Sequence, residues 1–351
     1  MSSALHTRVC ELLDVAYPIL QTGMGWVATP ELTAAASNAG AIGFLAAATI
    51  PPPEVEAAIL RVKQLTERPF GVNFLMDAPG ADVITEAIVR QGVKAAGYNR
   101  APSAELIQRL KQGGVVCVPT CGAVKHAAKA EQLGADIIIV QGSEGGGHTG
   151  SVPTSLLVSE AADAVSVPVV AAGGFRDGRG LVAALAFGAE GIAMGTRFLL
   201  TAESPVQDAT AARYFAAGVE DVIVTKEVDG LPQRVIVNEL VRGLESKGAL
   251  ARLLLALRNA LELRRTTGVS IPDLLRSGLA MRRNQRLSRS QMLMAANAPI
   301  LAKRAMQDGD PVGGYLPSGT VAGVLDDRPS CEELVRRIVQ EAERTLKALG
   351  G

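Results

Sequence analysis

The sequence predicts an α/β protein, a (β/α)8 TIM barrel with an added C-terminal helical region, and three observations predict it. Eight short apolar runs recur, at Tyr17–Gln21, Ala41–Ala46, Phe70–Phe74, Val93–Gly97, Val115–Val118, Asp136–Gln141, Val167–Ala172 and Gly191–Gly195. They are continuous rather than alternating, as strands buried on both faces are. Between them lie stretches of helical periodicity, such as Pro53–Thr66, Ala104–Gly113, Val124–Leu133 and Gly180–Phe187. Strands alternating with helices make βαβ units and a parallel sheet. Eight such units in about 180 residues fit a closed barrel.

An open doubly wound sheet is the alternative. Gly145-Gly146-Gly147-His148-Thr149-Gly150 fits the spacing of a dinucleotide-binding turn. That turn normally follows the first strand of its unit, with an acid about 20 positions on. Here it follows the sixth run, and Val167–Gly174 holds no acid. From Ser204 to about Gln307 the strand rhythm stops, and Leu240–Leu263, Ile271–Met281 and Arg286–Arg304 read as helices. Ser330–Leu349 reads as an amphipathic helix returning to the barrel. The expected division is a barrel over 1–203, a helical addition near its mouth over 204–310, and a returning segment over 311–351.

Composition narrows the function. The chain has 351 residues, 48% hydrophobic and 20% charged, with 37 glycines, which suits a packed enzyme and not a disordered chain. A net charge of zero and 3% aromatics argue against nucleic acid as a partner. Cys10, Cys117, Cys121 and Cys331 are too scattered for a disulfide framework, and no second Cys/His pair follows Cys117 and Cys121 at zinc spacing. No signal pattern begins the sequence, and no apolar run reaches membrane-spanning length. The expectation is a cytoplasmic protein with reduced thiols, no metal and no membrane partner.

Barrel enzymes carry their chemistry at the C-terminal ends of the strands. The runs here end in Gln21-Thr22-Gly23-Met24-Gly25, Gly71-Val72-Asn73, Pro119-Thr120-Cys121-Gly122, Gln141 through Gly150, Gly173-Gly174 and Gly195-Thr196-Arg197. The loops after the seventh and eighth strands are the frequent phosphate site of this fold. Glycines at both expose backbone N–H groups, and a short helix starting there would aim its positive end at a phosphate. Taken alone, each Gly pair is equally a turn.

His148 is the one histidine at a strand end, since His6 lies in the N-terminal segment and His126 in a helical stretch. In a glycine-rich loop facing the mouth, an imidazole can exchange a proton near neutral pH. Glu144 could orient it or be a solvated loop charge. Cys121 reads as pocket lining rather than nucleophile. Ala251–Ser290 holds nine arginines against Glu262 and Asp273. It is either a solvated helical face or a grip for a phosphate-rich substrate such as a coenzyme A thioester.

At these residues the sequence resembles the nitronate monooxygenase (2-nitropropane dioxygenase-like) family, which includes FMN-dependent enoyl thioester reductases. The resemblance covers nearly the whole chain and is most specific over Val167–Ser204, with the Gly142–Gly150 histidine loop and the first- and third-strand signatures in support. It implies FMN as cofactor. Gly23, Met24, Asn73 and Gln141 would lie near the flavin ring and ribityl chain, with Gly146 and Gly147 beside them. Gly173, Gly174, Gly195 and Thr196 would hold the phosphate, and His148 would be the acid/base. Two positions depart from the family pattern. The first-strand motif usually reads Gln-Ala-Pro-Met, where this chain has Gln21-Thr22-Gly23-Met24, and the histidine loop usually has Ala at the place of Gly145.

Gly23–Thr49, Glu144–Gly150, Ser290–Pro299 and Ser318–Leu334 are similar to a branch of that family in bacterial steroid degradation. Its members act on CoA thioesters of the last two steroid rings. This implies an oxidoreductase acting on such a thioester, with Trp26, Cys121, Arg282 and Arg283 on the substrate side. Nitronate oxidation with O2 and enoyl thioester reduction are the enzymatic alternatives, and a non-catalytic flavin-binding protein is the third reading. No second nucleotide motif is present, so NAD(P)H would dock transiently at the same mouth. A homo-oligomer stays open.

Overall fold

The computed structural model of the protein describes residues 3–99, 102–246 and 289–350. Each of the eight apolar runs forms a strand: β1 Ile19–Gln21, β2 Ile42–Ala46, β3 Gly71–Leu75, β4 Ala95–Asn99, β5 Val116–Cys121, β6 Ile138–Gln141, β8 Val169–Ala172 and β9 Ile192–Met194. They close into a barrel in that order, with β9 pairing back onto β1 through Leu20↔Ala193 and Gln21↔Met194. Every pairing in the barrel is parallel. β7, Gly147–His148, lies in the loop after β6 and belongs to a different sheet.

Strand residues alternate between two environments, because successive side chains leave opposite faces. Leu20, Ile42, Phe44, Ala95, Val118, Ile139, Val170 and Ala193 fill the barrel interior. Ile19, Cys121, Val140, Ala171 and Ile192 pack outward against the helices. Helix α1, Arg8–Leu13, adds Val9, Cys10 and Leu13 to the interior cluster. Its Arg8 pairs with Glu190, just ahead of β9, so α1 closes the N-terminal end of the barrel and leaves the opposite end for chemistry.

The surrounding helices start where capping groups allow. Thr29 accepts from Leu32 N–H and Pro30 opens α2, Pro30–Asn38. Then follow α3 Val55–Leu65, α4 Ala81–Arg90, α5 Ala104–Gln112 capped by Ser103, α6 Val124–Gln132, α7 Thr154–Ala164, and α8 Gly178–Ala186 capped by Asp177. α9, Thr196–Leu199, and α10, Asp208–Phe215, follow β9.

Beyond the barrel the structure corrects the expectation of a purely helical tail. Val222–Thr225 forms β10 and Gln233–Ile236 forms β11, an antiparallel hairpin. The far edge of β11 pairs with β7 through Gln233↔His148 and with β12, Leu316–Pro317, through Val235↔Pro317. These strands are short and their partners distant in sequence, so no long periodic run marks them. Glu239–Ser246 is α11 and Arg289–Met306 is α12, while Ile271–Met281 and most of Leu240–Leu263 lie outside the described residues. Cys331–Gly350 is α13, which packs Leu334, Val335, Ile338, Val339 and Ala342 into the outer core. Its contact with α8 is close because Gly178 has no side chain: an added Cβ would sit 2.3 Å from Ala342 N and Ile338 O. Among the described residues no helix is long and apolar enough to cross a membrane.

Candidate active site

The mouth is built from strand ends. By the strand alternation Asn73 and Gly97 face inward, and they are paired across β3 and β4. Asn73 sits between two glycines: a Cβ on Gly23 would lie 2.3 Å from Asn73 Cβ, and one on Gly97 would lie 2.8 Å from Asn73 Nδ2. Met24 Sδ is 3.4 Å from the place of a Cβ on Gly195, so the ends of β1 and β9 meet. Thus Gly23, Met24, Asn73 and Gly195 share one end of the barrel.

Gly173 and Gly174 follow β8 with φ of +98° and +85°, a region that L side chains rarely adopt. A Cβ on Gly173 would press on Gly145 N at 2.9 Å and Thr154 Oγ1 at 3.1 Å. Gly195 caps α9, whose first residue is Thr196. The Thr196 hydroxyl accepts from Gly319 N–H at 2.9 Å. Among the described residues, the backbone N–H groups of Gly174 and Thr196 donate to no other protein group. Such unpaired donors, that of Thr196 at the start of α9, are what an anion requires.

These features fit a flavin mononucleotide. The phosphate end has a cradle that side chains would fill. Across the barrel from β9, at the end of β4, Asn99 Oδ1 is buried without a protein partner among the described residues. Buried polar atoms are normally satisfied, so a partner with donors belongs there.

His148 stands on the small sheet rather than on the barrel. Its ring is half exposed, and Nε2 lies 2.8 Å from Asp229 Oδ2. Asp229 is largely buried and also accepts from Leu231 N–H at 3.0 Å and from the Gln233 amide at 2.5 Å. Burial pushes the Asp229 carboxyl up, but the His148 hydrogen bond and charge, with Leu231 and Gln233, outweigh it and hold the carboxyl below the usual range. Tyr315 is buried, and desolvation, with the Asp229 charge adding to it, drives its phenol upward. The His148 carbonyl accepts from Gln141 Nε2 at 2.9 Å, and Gly146 O lies 3.4 Å from the same nitrogen. Gly146 and Gly147 carry this loop past the C-terminal segment: a Cβ on Gly146 would lie 2.6 Å from Gly319 N, and Gly147 has φ +66°.

The carboxylate that pairs with His148 is therefore Asp229, and Glu144 is spent elsewhere. Glu144 accepts from Thr154 N–H at 2.8 Å and from the Thr154 hydroxyl, closing its own loop onto α7. Asp229 was not among the residues singled out in the sequence. Its one local signal is the Asp229-Gly230 pair between two β-branched runs, a turn signature, with Gly230 at φ +86°.

Of the substrate-side residues, Trp26 stands beyond β1 with φ +66°. A bulky residue there carries strain of order 1–3 kcal/mol, which neighbours must hold in place. They include Thr49 Oγ1 on its N–H at 3.3 Å, Gln307 Nε2 on its carbonyl at 3.3 Å, and Lys303 Nζ 5.9 Å from the ring centroid. Cys121 ends β5 but belongs to the outward-packed cluster and is 7% exposed. Burial pushes its thiol up to about 11. It belongs to the buried cluster against which Met24 and Trp26 also pack. Arg282 and Arg283 lie outside the described residues.

Comparison with known proteins agrees with the barrel fold. The family model described as nitronate monooxygenase matches residues 6–96 and 86–341. A Rhodococcus jostii protein named "(3aS,4S,5R,7aS)-5-hydroxy-7a-methyl-1-oxo-octahydro-1H-indene-4-carboxyl-CoA dehydrogenase" is 49% identical over 99% of both chains. A Mycobacterium tuberculosis protein of the same name is 50% identical over 96% of both chains. Among solved structures, FabK from Thermotoga maritima superposes with a TM-score of 0.79 at 31% identity, covering 98% of each chain. The chain belongs to the nitronate monooxygenase family and is a flavin-dependent oxidoreductase.

Proposed function

We propose that this chain removes a hydride and a proton from a coenzyme A thioester of a bicyclic steroid-ring catabolite, with His148 as the acid/base. The observation that carries this is the identity of 49% and 50%, over nearly the full length, to two proteins named as a bicyclic carboxyl-CoA dehydrogenase. FMN, when bound, supplies the two-electron redox chemistry of the reaction. The backbone of Gly173, Gly174, Gly195 and Thr196 would hold its phosphate, and Gly23, Met24, Asn73, Gln141, Gly146 and Gly147 would lie along the rest of it. His148, half exposed beside the mouth, takes the proton that leaves the substrate. Trp26, held in its strained conformation by Thr49 and Gln307, would form a wall of the substrate space. The arginine-rich stretch that includes Arg282 and Arg283 would grip the phosphates of CoA.

NAD(P)H would serve as a transient redox partner at the same mouth. The division into 1–203, 204–310 and 311–351 is our reading of the chain's parts, as are a cytoplasmic location and a homo-oligomeric assembly, the last checked by light scattering. The deciding experiment mixes the FMN-loaded protein, without oxygen, with the bicyclic thioester named above and separately with a small alkyl nitronate. Bleaching of the oxidised flavin bands by the thioester alone is expected. Bleaching by the nitronate alone would replace this substrate class with the one in the family's description. Failure to retain flavin after incubation with FMN would remove the cofactor assignment.

A further inference from the structure

We propose that Asp229 is the positioning residue for His148: it fixes the imidazole as the Nε2–H tautomer and leaves Nδ1 as the atom that exchanges the proton. This rests on the reading of His148 as the acid/base.

The geometry has three parts. First, the backbone of His148 is fixed on both sides. It pairs with Gln233 across β7 and β11, and its carbonyl accepts from the Gln141 amide at 2.9 Å. The ring is therefore aimed by sheet register rather than by a free loop. Second, Asp229 is presented as an acceptor in a fixed place. Leu231 N–H holds Oδ1, while Gln233 Nε2 and His148 Nε2 converge on Oδ2. With three donors around it the carboxylate stays ionised and has no proton to give, so the facing nitrogen of a neutral imidazole must carry one. Third, nothing contests that arrangement. Gln233 Nε2 lies 3.4 Å from His148 Nε2, but its better-placed partner is Asp229. Among the described residues, no side chain or backbone group bonds to Nδ1 of His148.

The chemical consequence is specific. A substrate–hydrogen bond breaks, its electron pair stays with the substrate, and the new N–H bond forms at Nδ1. The resulting imidazolium keeps its Nε2–H on Asp229, so charge develops beside a buried opposite charge that is already in place. A neutral amide at position 229 would supply no compensating charge and could face the ring with either its oxygen or its nitrogen. Either tautomer would then be populated. Gln233 is part of the same device, because its amide keeps Oδ2 in line with β7 while its backbone pairs with His148.

The test uses FMN-loaded protein carrying 15N in its histidine rings, in wild-type, Asp229→Asn, Asp229→Glu and His148→Ala forms. His148→Ala identifies the His148 signals. The wild type is expected to show the Nε2–H tautomer. Asp229→Asn is expected to lose that preference, and Asp229→Glu to restore part of it. In oxygen-free mixing with the bicyclic thioester, Asp229→Asn is expected to slow flavin bleaching by about 10²–10⁴-fold, with KM for the thioester and flavin retention unchanged. A wild-type Nδ1–H tautomer overturns the proposal whatever the substrate, and needs no variant to fold. Normal bleaching by Asp229→Asn with an inactive His148→Ala overturns Asp229 alone. Normal bleaching by His148→Ala removes the acid/base assignment on which the proposal stands.

Discussion

Gly173→Ala is expected to lower both thermal stability and flavin affinity, and two other glycines separate the causes. At Gly173 backbone and space are both against a side chain. Its φ is +98°, and an added Cβ would meet Gly145 N at 2.9 Å, Thr154 Oγ1 at 3.1 Å and Gly142 O at 3.3 Å. At Gly92 only the backbone objects, with φ +59° and nothing within 4 Å. At Gly122 neither does, since nothing lies within 4 Å and its φ is outside the left-handed region. A left-handed conformation costs an L residue about 1–2 kcal/mol. Pressing a methyl against backbone that cannot swing away adds about 1–3 kcal/mol. Gly122→Ala is therefore neutral, or stabilising by up to about 1 kcal/mol through the unfolded chain. Gly92→Ala loses about 1–2 kcal/mol, and Gly173→Ala about 2–5 kcal/mol. At roughly 2–4 °C per kcal/mol, the Gly173 variant melts about 4–20 °C lower. Only at Gly173 must the Gly142–Gly145 loop and Thr154 give way, so only there does the phosphate cradle change shape. Losing one hydrogen bond to a charged phosphate, about 1.5–3 kcal/mol, raises the FMN Kd roughly 10- to 100-fold. Calorimetric melting and fluorescence titration of the FMN-free proteins measure the two effects. The reasoning fails if Gly173→Ala binds FMN within twofold of wild type, or if Gly92→Ala loses FMN as severely.

Three further outcomes follow from the same structure. Asp229 is held below the usual aspartate range, with its opposing burial outweighed by His148, Leu231 and Gln233. Its stabilising contribution is complete above the ordinary value near pH 4 and is lost as pH falls through the depressed one. Urea midpoints of wild type and Asp229→Asn should differ at neutral pH and converge in acid, and a gap that widened in acid would contradict the pairing. All four cysteines are buried, and burial pushes the Cys121 thiol up to about 11. The native protein should leave all four thiols untouched by a disulfide reagent at pH 8 and expose them on unfolding, whereas one fast-reacting thiol would refute the packing. Reversing charge at Arg282 and Arg283 should raise KM for the bicyclic thioester and spare a small nitronate, and equal effects on both would remove the CoA grip.

What could be read from the sequence divides along physical lines. Each barrel strand is buried on both faces, so its apolar run is a complete local record of its environment. All eight were legible for that reason. The helices between them were legible from periodicity, and the glycines at the ends of β8 and β9 from their position. The small sheet was not legible in the same way. β7 and β12 have two residues each, too few to show any alternation. β10 has a mixed burial pattern and sits beside a strongly helical stretch. Its turn signal, Asp229-Gly230, is diluted by the loop over residues 226–232. The partner of His148 is 81 residues away, and the group bonded to Thr196 is 123 residues away. Contacts at such separations leave no mark in local pattern. The carboxylate near in sequence, Glu144, was open between orienting the ring and facing solvent, and it does neither: it closes its own loop on α7.

The two departures from the family pattern have one explanation. A Cβ at position 23 would collide with Asn73, and a Cβ at position 145 would lie 2.5 Å from Gln141 Cγ. Each glycine makes room for an amide side chain, Asn73 of β3 at Gly23 and Gln141 of β6 at Gly145. At Gln141 the consequence reaches the chemistry, because that amide holds the His148 carbonyl. A side chain at position 145 would press on the Gln141 amide and so reach the His148 carbonyl without touching the imidazole. The proposed flavin cradle, by contrast, depends on Gly173, Gly174 and the start of α9, tied to the C-terminal segment through Thr196 and Gly319. The two halves of the site rest on different supports: the barrel ends for the cofactor, and the β7–β11 sheet for the proton. Substitutions at Asp229 or Gln233 therefore act on proton transfer with flavin retained. Substitutions at Gly173 or Thr196 act on flavin retention with the tautomer of His148 preserved, which makes the two groups separable by the ring-nitrogen spectrum alone.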